Sequence, residues 1–373
     1  MKIQTYKIGE IFSRFSSGKM ISEKYINNEG EYPVFGGNGL RGFTNEYNFS
    51  GECIIVGRQG AKCGNVRYFS GIGYMTDHAI VGVCNNHHST KFLNYALSSL
   101  NLNRLSGQAA QPGLSVTMLK KQKIQLPDYE TQIKIVDIVD KYDLLIEKNN
   151  KRIKILEQMA EELYKEWFIR CKFPEYKDYK FKHENPKGWV LGIHNDMKIP
   201  QEWSFGKVEA IGSFSRGKNI TKEQMVEGDV PVISAVIEPS GYHNVSNVKG
   251  MSLTMSASGA NAGYLKYNLE DIWAADCSYY QDDSNIWFMY HSLNFIRKAI
   301  DNLQVGSAQP HVYPKNINKL CIVVPEEKYI KKFNELVSPV YLEIKRLQEK
   351  NKNLEKQRDL LLPRLMSGKL EVK

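Results

Sequence analysis

The stretch Gly60-Ala61-Lys62-Cys63-Gly64-Asn65-Val66-Arg67-Tyr68 returns 199 positions later as Gly259-Ala260-Asn261-Ala262-Gly263-Tyr264-Leu265-Lys266-Tyr267. On its N-terminal side, Gly18-Lys19-Met20-Ile21-Ser22 faces Gly217-Lys218-Asn219-Ile220-Thr221 at the same offset. Tyr32-Pro33-Val34 faces Val230-Pro231-Val232 at 198, and on the C-terminal side Asp77 faces Asp276 at 199. Gln111-Pro112 faces Gln309-Pro310 and Pro127 faces Pro325, both at 198. An offset held between 198 and 199 through this many motifs marks a duplication. A unit of nearly 200 residues is too long for a solenoid repeat and long enough for a domain.

Each copy reads in two parts. Residues 1–126 and 200–324 carry short apolar runs punctuated by Gly, Asn and Ser, such as Cys53-Ile54-Ile55-Val56 and Ile124-Gln125-Leu126. Such runs predict short strands. Thr90 to Leu102 and Ser292 to Leu303 read as helices, so each globular part is expected to mix helix and strand. Residues 127–170 and 325–373 are expected to be helical, because acids follow Pro127 and Pro325 as they do at helix starts. Residues 171–199, with Pro174, Pro186 and Gly188, read as an irregular linker packed by Trp189 and Trp203.

In the helical parts, apolar residues alternate at spacings of three and four. They run Ile135, Val139, Tyr142, Ile146, Asn149, Ile153, Leu156, Ala160, Leu163, Trp167, and Phe333, Val337, Val340, Ile344, Leu347, Asn351, Leu354, Arg358, Leu361, Leu365. That is a coiled-coil seam. Pro339 predicts a break near 337–339, and its repeat-mate Lys141 a break near 139–141. Pairing residues whose numbers sum to 500 stacks the two seams antiparallel and sets Asn149 opposite Asn351, a polar layer that would fix register. Thirty helical residues make a rod of roughly 45 Å.

The composition excludes several classes. No run of about 18 apolar residues is present to span a membrane, and the N-terminal stretch has no apolar core of a secretory signal. A cytoplasmic chain is expected. The six cysteines form no CxxC pair, so neither a disulfide framework nor a zinc site is expected. Gly37-Asn38-Gly39-Leu40-Arg41-Gly42 matches GxGxxG, but a poor helix start follows it and no strand of usual length precedes it. A Walker A sequence, an HExxH motif and a deaminase signature are absent, and Asn185-Pro186-Lys187-Gly188 fails as a methyltransferase tetrad. His87-His88, being adjacent, are poor co-ligands. No catalytic residue and no metal ligand is expected.

Binding chemistry remains. The net charge of +9 favours an acidic partner such as nucleic acid. Small residues mixed with donors and acceptors recur in loops: Lys19 after Gly18, Asn38 and Arg41 in the Gly-rich stretch, and Arg58, Gln59 and Lys62. In the second copy they are Lys218 and Asn219, Ser258 and Asn261, and Gln309. Gly admits a phosphate to the backbone, while Arg, Gln and Asn can read base edges in pairs of hydrogen bonds. Arg58-Gln59 becomes Ala257-Ser258 between the copies, so two copies of one scaffold would read different sequences.

These features together resemble the specificity subunit of a type I restriction–modification system. The likeness is carried by Tyr32-Pro33-Val34-Phe35-Gly36-Gly37-Asn38-Gly39-Leu40-Arg41-Gly42, by Leu163-Tyr164-Lys165-Glu166-Trp167-Phe168, by Ile199-Pro200-Gln201-Glu202-Trp203, and by the ending Leu361-Leu362-Pro363-Arg364-Leu365-Met366-Ser367-Gly368-Lys369-Leu370. Their order over the full length is the specific part. The resemblance implies an α+β fold: two α/β target-recognition domains, separated by two long helices that form an intramolecular antiparallel coiled coil, in a pseudo-twofold repeat. It implies that each domain reads one half of a bipartite, asymmetric site in double-stranded DNA. Two modification subunits would bring S-adenosylmethionine and adenine methylation, and two restriction subunits would bring ATP- and Mg-dependent translocation and cleavage. This chain would hold no cofactor and would not be catalytic. One departure is that Ser258 replaces the Arg58-Gln59 type of loop residue, so contacts cannot be copied between halves. Two alternatives of other classes are a self-contained DNA-modifying enzyme and a structural coiled-coil adaptor.

Overall fold

A computed structural model describes residues 3–60, 62–106, 113–184, 197–235, 237–303 and 311–372. The chain divides into two compact units, Met1–Lys148 with Asn351–Lys373, and Asn149–Lys350.

In the first unit the central strand Phe49–Gly57 shows why an apolar run becomes a core strand. Ile54 and Val56 point to one face and pack with Phe92, Leu93 and Leu97 of the Thr90–Ser98 helix. Cys53 and Ile55, one residue out of phase, point to the other face and pack with Phe49, Phe69 and Val81. A strand buried on both sides needs no polar alternation. Around it lies a six-stranded sheet in the order Phe12–Ser17, Ala79–Cys84, Phe49–Gly57, Val66–Met75, Tyr32–Gly36, Gly39–Thr44. Ile3–Lys7 pairs antiparallel with Lys123–Pro127, the strand that leads into the first long helix.

The second unit repeats the plan with one change. Ser204–Lys207 pairs with Cys321–Val324 ahead of the second long helix. The equivalent sheet, however, is split into a four-stranded and a three-stranded piece. The ten-residue strand Val66–Met75 has become two short ones, Leu265–Asn268 and Trp273–Ala274. Between them Asp271 accepts from the backbone N–H of Gly250 at 2.7 Å and Ile272 bridges Val248, which draws the chain off the ladder. An aromatic core fills this unit: Phe168 packs on Phe288 at 4.8 Å, Phe173 stacks on Trp203 at 4.6 Å, and Trp287 stacks on Tyr341 at 3.5 Å.

The long helices are Tyr129–Tyr164, extended by a π turn at Lys165–Ile169, and Glu327–Met366. Pro127 ends a strand, and the Asp128 carboxylate caps the first helix by accepting from the Thr131 N–H at 3.0 Å. None of the twenty seam residues is exposed. In the first unit Ile135 and Val139 share a core with Leu361 and Leu365, and Asp143 pairs with Arg358 at 2.6 Å. In the second, Leu156 and Ala160 share one with Val337 and Ile344, and Arg152 pairs with Glu343 at 3.0 Å. In each unit residue numbers rise on one helix as they fall on the other, so the segments run antiparallel. The sum-to-500 pairing sets Arg358 opposite Tyr142, and its guanidinium reaches the adjacent Asp143. A double-mutant cycle on Asp143→Ala and Arg358→Ala, read by urea unfolding, is expected to give about 0.5–1 kcal/mol, because the pair is partly solvated.

Three expectations are corrected. No break occurs at 139–141 or 337–339, because both helices run through. Pro339 is exposed, so its ring lies on the outer face, and the Glu335 carbonyl it frees, also on an exposed residue, can turn to water. The segment 171–199 is not wholly irregular. Phe181–Glu184 and Met197–Pro200 form an antiparallel pair with Met197 and Ile199 buried and Lys198 exposed, a period of two. Trp203 is fully buried, while Trp189 and the tetrad at 185–188 lie outside the described residues. The GxGxxG stretch does follow a strand, Tyr32–Gly36, but it turns directly into a second strand, Gly39–Thr44, where a dinucleotide site needs a helix.

Candidate nucleic-acid interface

The central strand of the first unit ends at Gly57, where three segments meet. A Cβ on Gly57 would lie 2.5 Å from the Gly37 carbonyl oxygen and 2.6 Å from that of Lys62, so only glycine admits this approach. The loop beyond is pinned by its backbone. Arg58 N–H donates to the His78 carbonyl at 2.9 Å, the Arg58 carbonyl accepts from Leu114 N–H at 2.8 Å, and Gln59 bridges Gly113. Gly18 N–H donates to Ala79 and Lys19 N–H to Met75, at 3.0 and 2.9 Å, which brings the end of the first sheet strand to the same place. Lys19, Asn38, Gln59 and Lys62 are exposed around this cradle, and the Asn38 amide flanks Gly60. Arg58 is half-buried, and its Nη1 donates to Ser17 Oγ at 3.3 Å and to the Asp77 carbonyl at 3.4 Å. Arg41 is exposed and paired with Glu23 at 3.2 Å.

The second unit rebuilds most of the cradle's backbone bonds. Gly217 N–H donates to Cys277 and Lys218 N–H to Ala274, both at 2.9 Å. The Ala257 carbonyl accepts from Val312 N–H at 2.9 Å, Ser258 bridges His311, and Gly263 N–H donates to Ser256 as Gly64 N–H does to Gly57. Lys218 and Asn219 are exposed; Ser258 and Asn261 are half-buried. Gln309 lies outside the described residues, as does Gln111-Pro112.

The side chains diverge in an instructive way. The slot of Arg58 holds Ala257, which is 1% exposed, while the slot of Ser17 holds Arg216. Arg216 ion-pairs with Asp276, the repeat-mate of Asp77, and Ser258 Oγ donates to the same carboxylate at 2.6 Å. Both copies therefore hold a guanidinium against this segment but supply it from different strands. In the first it leans on a backbone carbonyl, and in the second it is neutralised by a carboxylate.

Two further cations lie at the rim and were not singled out from the sequence. Arg67 and Lys266 are repeat-mates at an offset of 199. The Arg67 guanidinium lies against Gly39, and Lys266 Nζ donates to the carbonyl of Ile237 at 3.4 Å; Ile237 lies 198 positions after Gly39. The signal was present in the matched stretches, which both keep a cation there.

Other chemistry is muted. Burial pushes the thiols of Cys53, Cys171 and Cys277 up to about 12 and that of Cys84 to about 11, so they stay protonated and poorly nucleophilic. No group of three or more His, Cys, Asp or Glu is placed to hold a metal ion among the described residues. His88 is buried and meets Gln132 Nε2 at 3.1 Å, an internal contact. No described helix is long and apolar enough to cross a membrane.

A family model described as the type I restriction modification DNA specificity domain matches residues 2–158 and again 200–356. The specificity subunit of the type I restriction enzyme EcoprrI of Escherichia coli is 40% identical over 144 residues, covering 39% of this chain and 35% of that protein. That of MjaIX from Methanocaldococcus jannaschii is 27% identical over 292 residues, covering 73% of this chain and 66% of that protein. The chain thus spans less than two thirds of the length of each of these two relatives. The S subunit of a type I restriction–modification system from M. genitalium has the same fold, with a TM-score of 0.62 at 18% identity, covering 98% of this chain and 96% of that one. With the family model matched twice, over most of the sequence and once in each copy of the repeat, the chain belongs to the type I restriction–modification DNA specificity family.

Proposed function

We propose that the chain is the DNA-reading subunit of a type I restriction–modification complex, with each copy reading one part of a bipartite, asymmetric site. The observation that carries this reading is the pair of cradles: most of the backbone hydrogen bonds are shared, while the Arg58, Gln59 and Ser17 positions carry Ala257, Ser258 and Arg216. A scaffold kept and a rim changed is what two readers of unlike sequences require. Lys19, Asn38, Arg41, Arg58, Gln59 and Lys62 would serve one half-site, and Lys218, Asn219, Ser258, Asn261 and Gln309 the other. Lysines and arginines supply salt-dependent phosphate affinity, and the amides and hydroxyls supply discrimination.

In this reading residues 1–126 and 200–324 are the target-recognition domains and 127–170 and 325–373 the helical regions, joined through 171–199. The coiled coil sets the spacing between the readers and docks the modification subunits, with buried Asn149 and Asn351 as its register residues. Methylation of adenine with S-adenosylmethionine belongs to two modification subunits, and ATP- and Mg-dependent cleavage to two restriction subunits. The chain itself contributes recognition in the cytoplasm and no catalytic step. Comparing the methylomes of the source cell and of a strain lacking this gene tests the reading. Loss of methyladenine from one two-part motif is expected; an unchanged methylome overturns it.

A further inference from the structure

From the geometry around the two hairpin turns, we infer that Arg67 and Lys266 are phosphate clamps, one per half-site, which seat the duplex backbone beside each reading loop; the inference rests on the DNA-reading function proposed above. Each cation leaves the strand that follows its loop, Val66–Met75 in one copy and Leu265–Asn268 in the other. Each reaches the connection between the paired strands beside it, at Gly39 in one copy and Ile237 in the other. A Cβ on Gly39 would lie 2.8 Å from Arg67 Nη2, and Lys266 Nζ meets the carbonyl of Ile237, which lies 198 positions after Gly39.

The charge of each is uncompensated. Among the described residues Arg67 and Lys266 make no ion pair, whereas Arg41 is matched by Glu23 and Arg216 by Asp276. A cation kept without a carboxylate, at matched positions of two copies in which Arg58-Gln59 has become Ala257-Ser258 and Ser17 has become Arg216, fits a ligand that is the same in both half-sites. Base edges differ between half-sites; phosphates do not. Arginine and lysine exchange freely at a point-charge contact but not where a planar fork reads a guanine.

The test uses the assembly isolated from the source cell through a tag on this chain, and 40-base-pair duplexes of randomised sequence, with affinity measured by anisotropy from about 50 to 200 mM KCl. Arg67→Ala is expected to lower the slope of log K against log salt by about 0.9, and the double variant with Lys266→Ala by about 1.8. For one clamp, that removes about 3.5-fold of the wild-type loss of affinity across this range. Base preferences recovered by selection should be unchanged, and Arg67→Lys should restore the slope. An unchanged slope overturns the inference, and so does a preference altered at one base position, which would make Arg67 a reader. A wild-type assembly that fails to bind DNA overturns the function itself, a result distinct from either.

Discussion

Arg58→Ala is expected to weaken binding at one half-site by about 5- to 150-fold and to leave the other untouched, the loss of one good two-pronged base contact costing about 1–3 kcal/mol. The guanidinium has five donors, of which one nitrogen is engaged, at 3.3 and 3.4 Å, with Ser17 Oγ and the Asp77 carbonyl. Those contacts are long and leave the rest of the fork available at the rim. The second copy shows that the cradle closes with alanine in this slot, since the Ala257 carbonyl still accepts from Val312 N–H and the Gly263 N–H still donates to Ser256. It also shows what replaces the anchor, an arginine at the slot of Ser17. Adding Ser17→Arg to Arg58→Ala should therefore recover thermal stability without recovering half-site affinity. Arg58→Lys should keep part of the affinity and lose the base preference, because it keeps the charge and not the fork. Binding to duplexes with one half-site scrambled at a time separates the two halves. Equal losses at both would refute modular reading.

The duplication was legible because the backbone cradle needs small residues and turns at fixed intervals, and these survive as the 198–199 offset. The seam was legible because burial along a helix follows its period, down to the two asparagines. What escaped was spatial. That Ser17 and Arg58 lie beside one segment, and that Arg216 does Arg58's work from the other strand, depends on strands adjacent only in the folded sheet. Arg67 and Lys266 stood in the matched stretches, yet nothing local separates a clamp from any exposed cation. The break predicted at Pro339 failed because the proline rule applies to a buried helix face more than to one turned to water. The split sheet turned on Asp271, whose partner Gly250 lies 21 residues away.

Acid is expected to destabilise the second unit through His291, with stability falling by about 1.4 kcal/mol per pH unit from about 6.5 towards 3, for a total of roughly 4 kcal/mol. His291 is 3% exposed, its Nε2 lies 3.1 Å from the Tyr341 hydroxyl and its Nδ1 has no partner. The Tyr164 ring stacks on it at 5.9 Å. Burial, helped by the Lys165 charge, drives its pKa down to about 3. The folded imidazole thus stays neutral where the unfolded one, at about 6.5, binds a proton. Between those values the unfolded state holds more protons, so unfolding becomes easier as pH falls; above about 6.5 the group contributes no slope. The first unit's sequence segments hold no tryptophan, and the described ones, Trp167, Trp203, Trp273 and Trp287, all belong to the second unit, so urea unfolding followed by tryptophan fluorescence reports on it. Carboxylates also titrate in acid, so the comparison is with His291→Gln, which shares every other group. The stability difference between wild type and variant should shift by about 2 kcal/mol in the variant's favour from pH 6.5 to 5.0, whatever its starting offset. Parallel curves would mean that His291 takes up its proton in the folded state, which the closed aromatic pocket around it opposes.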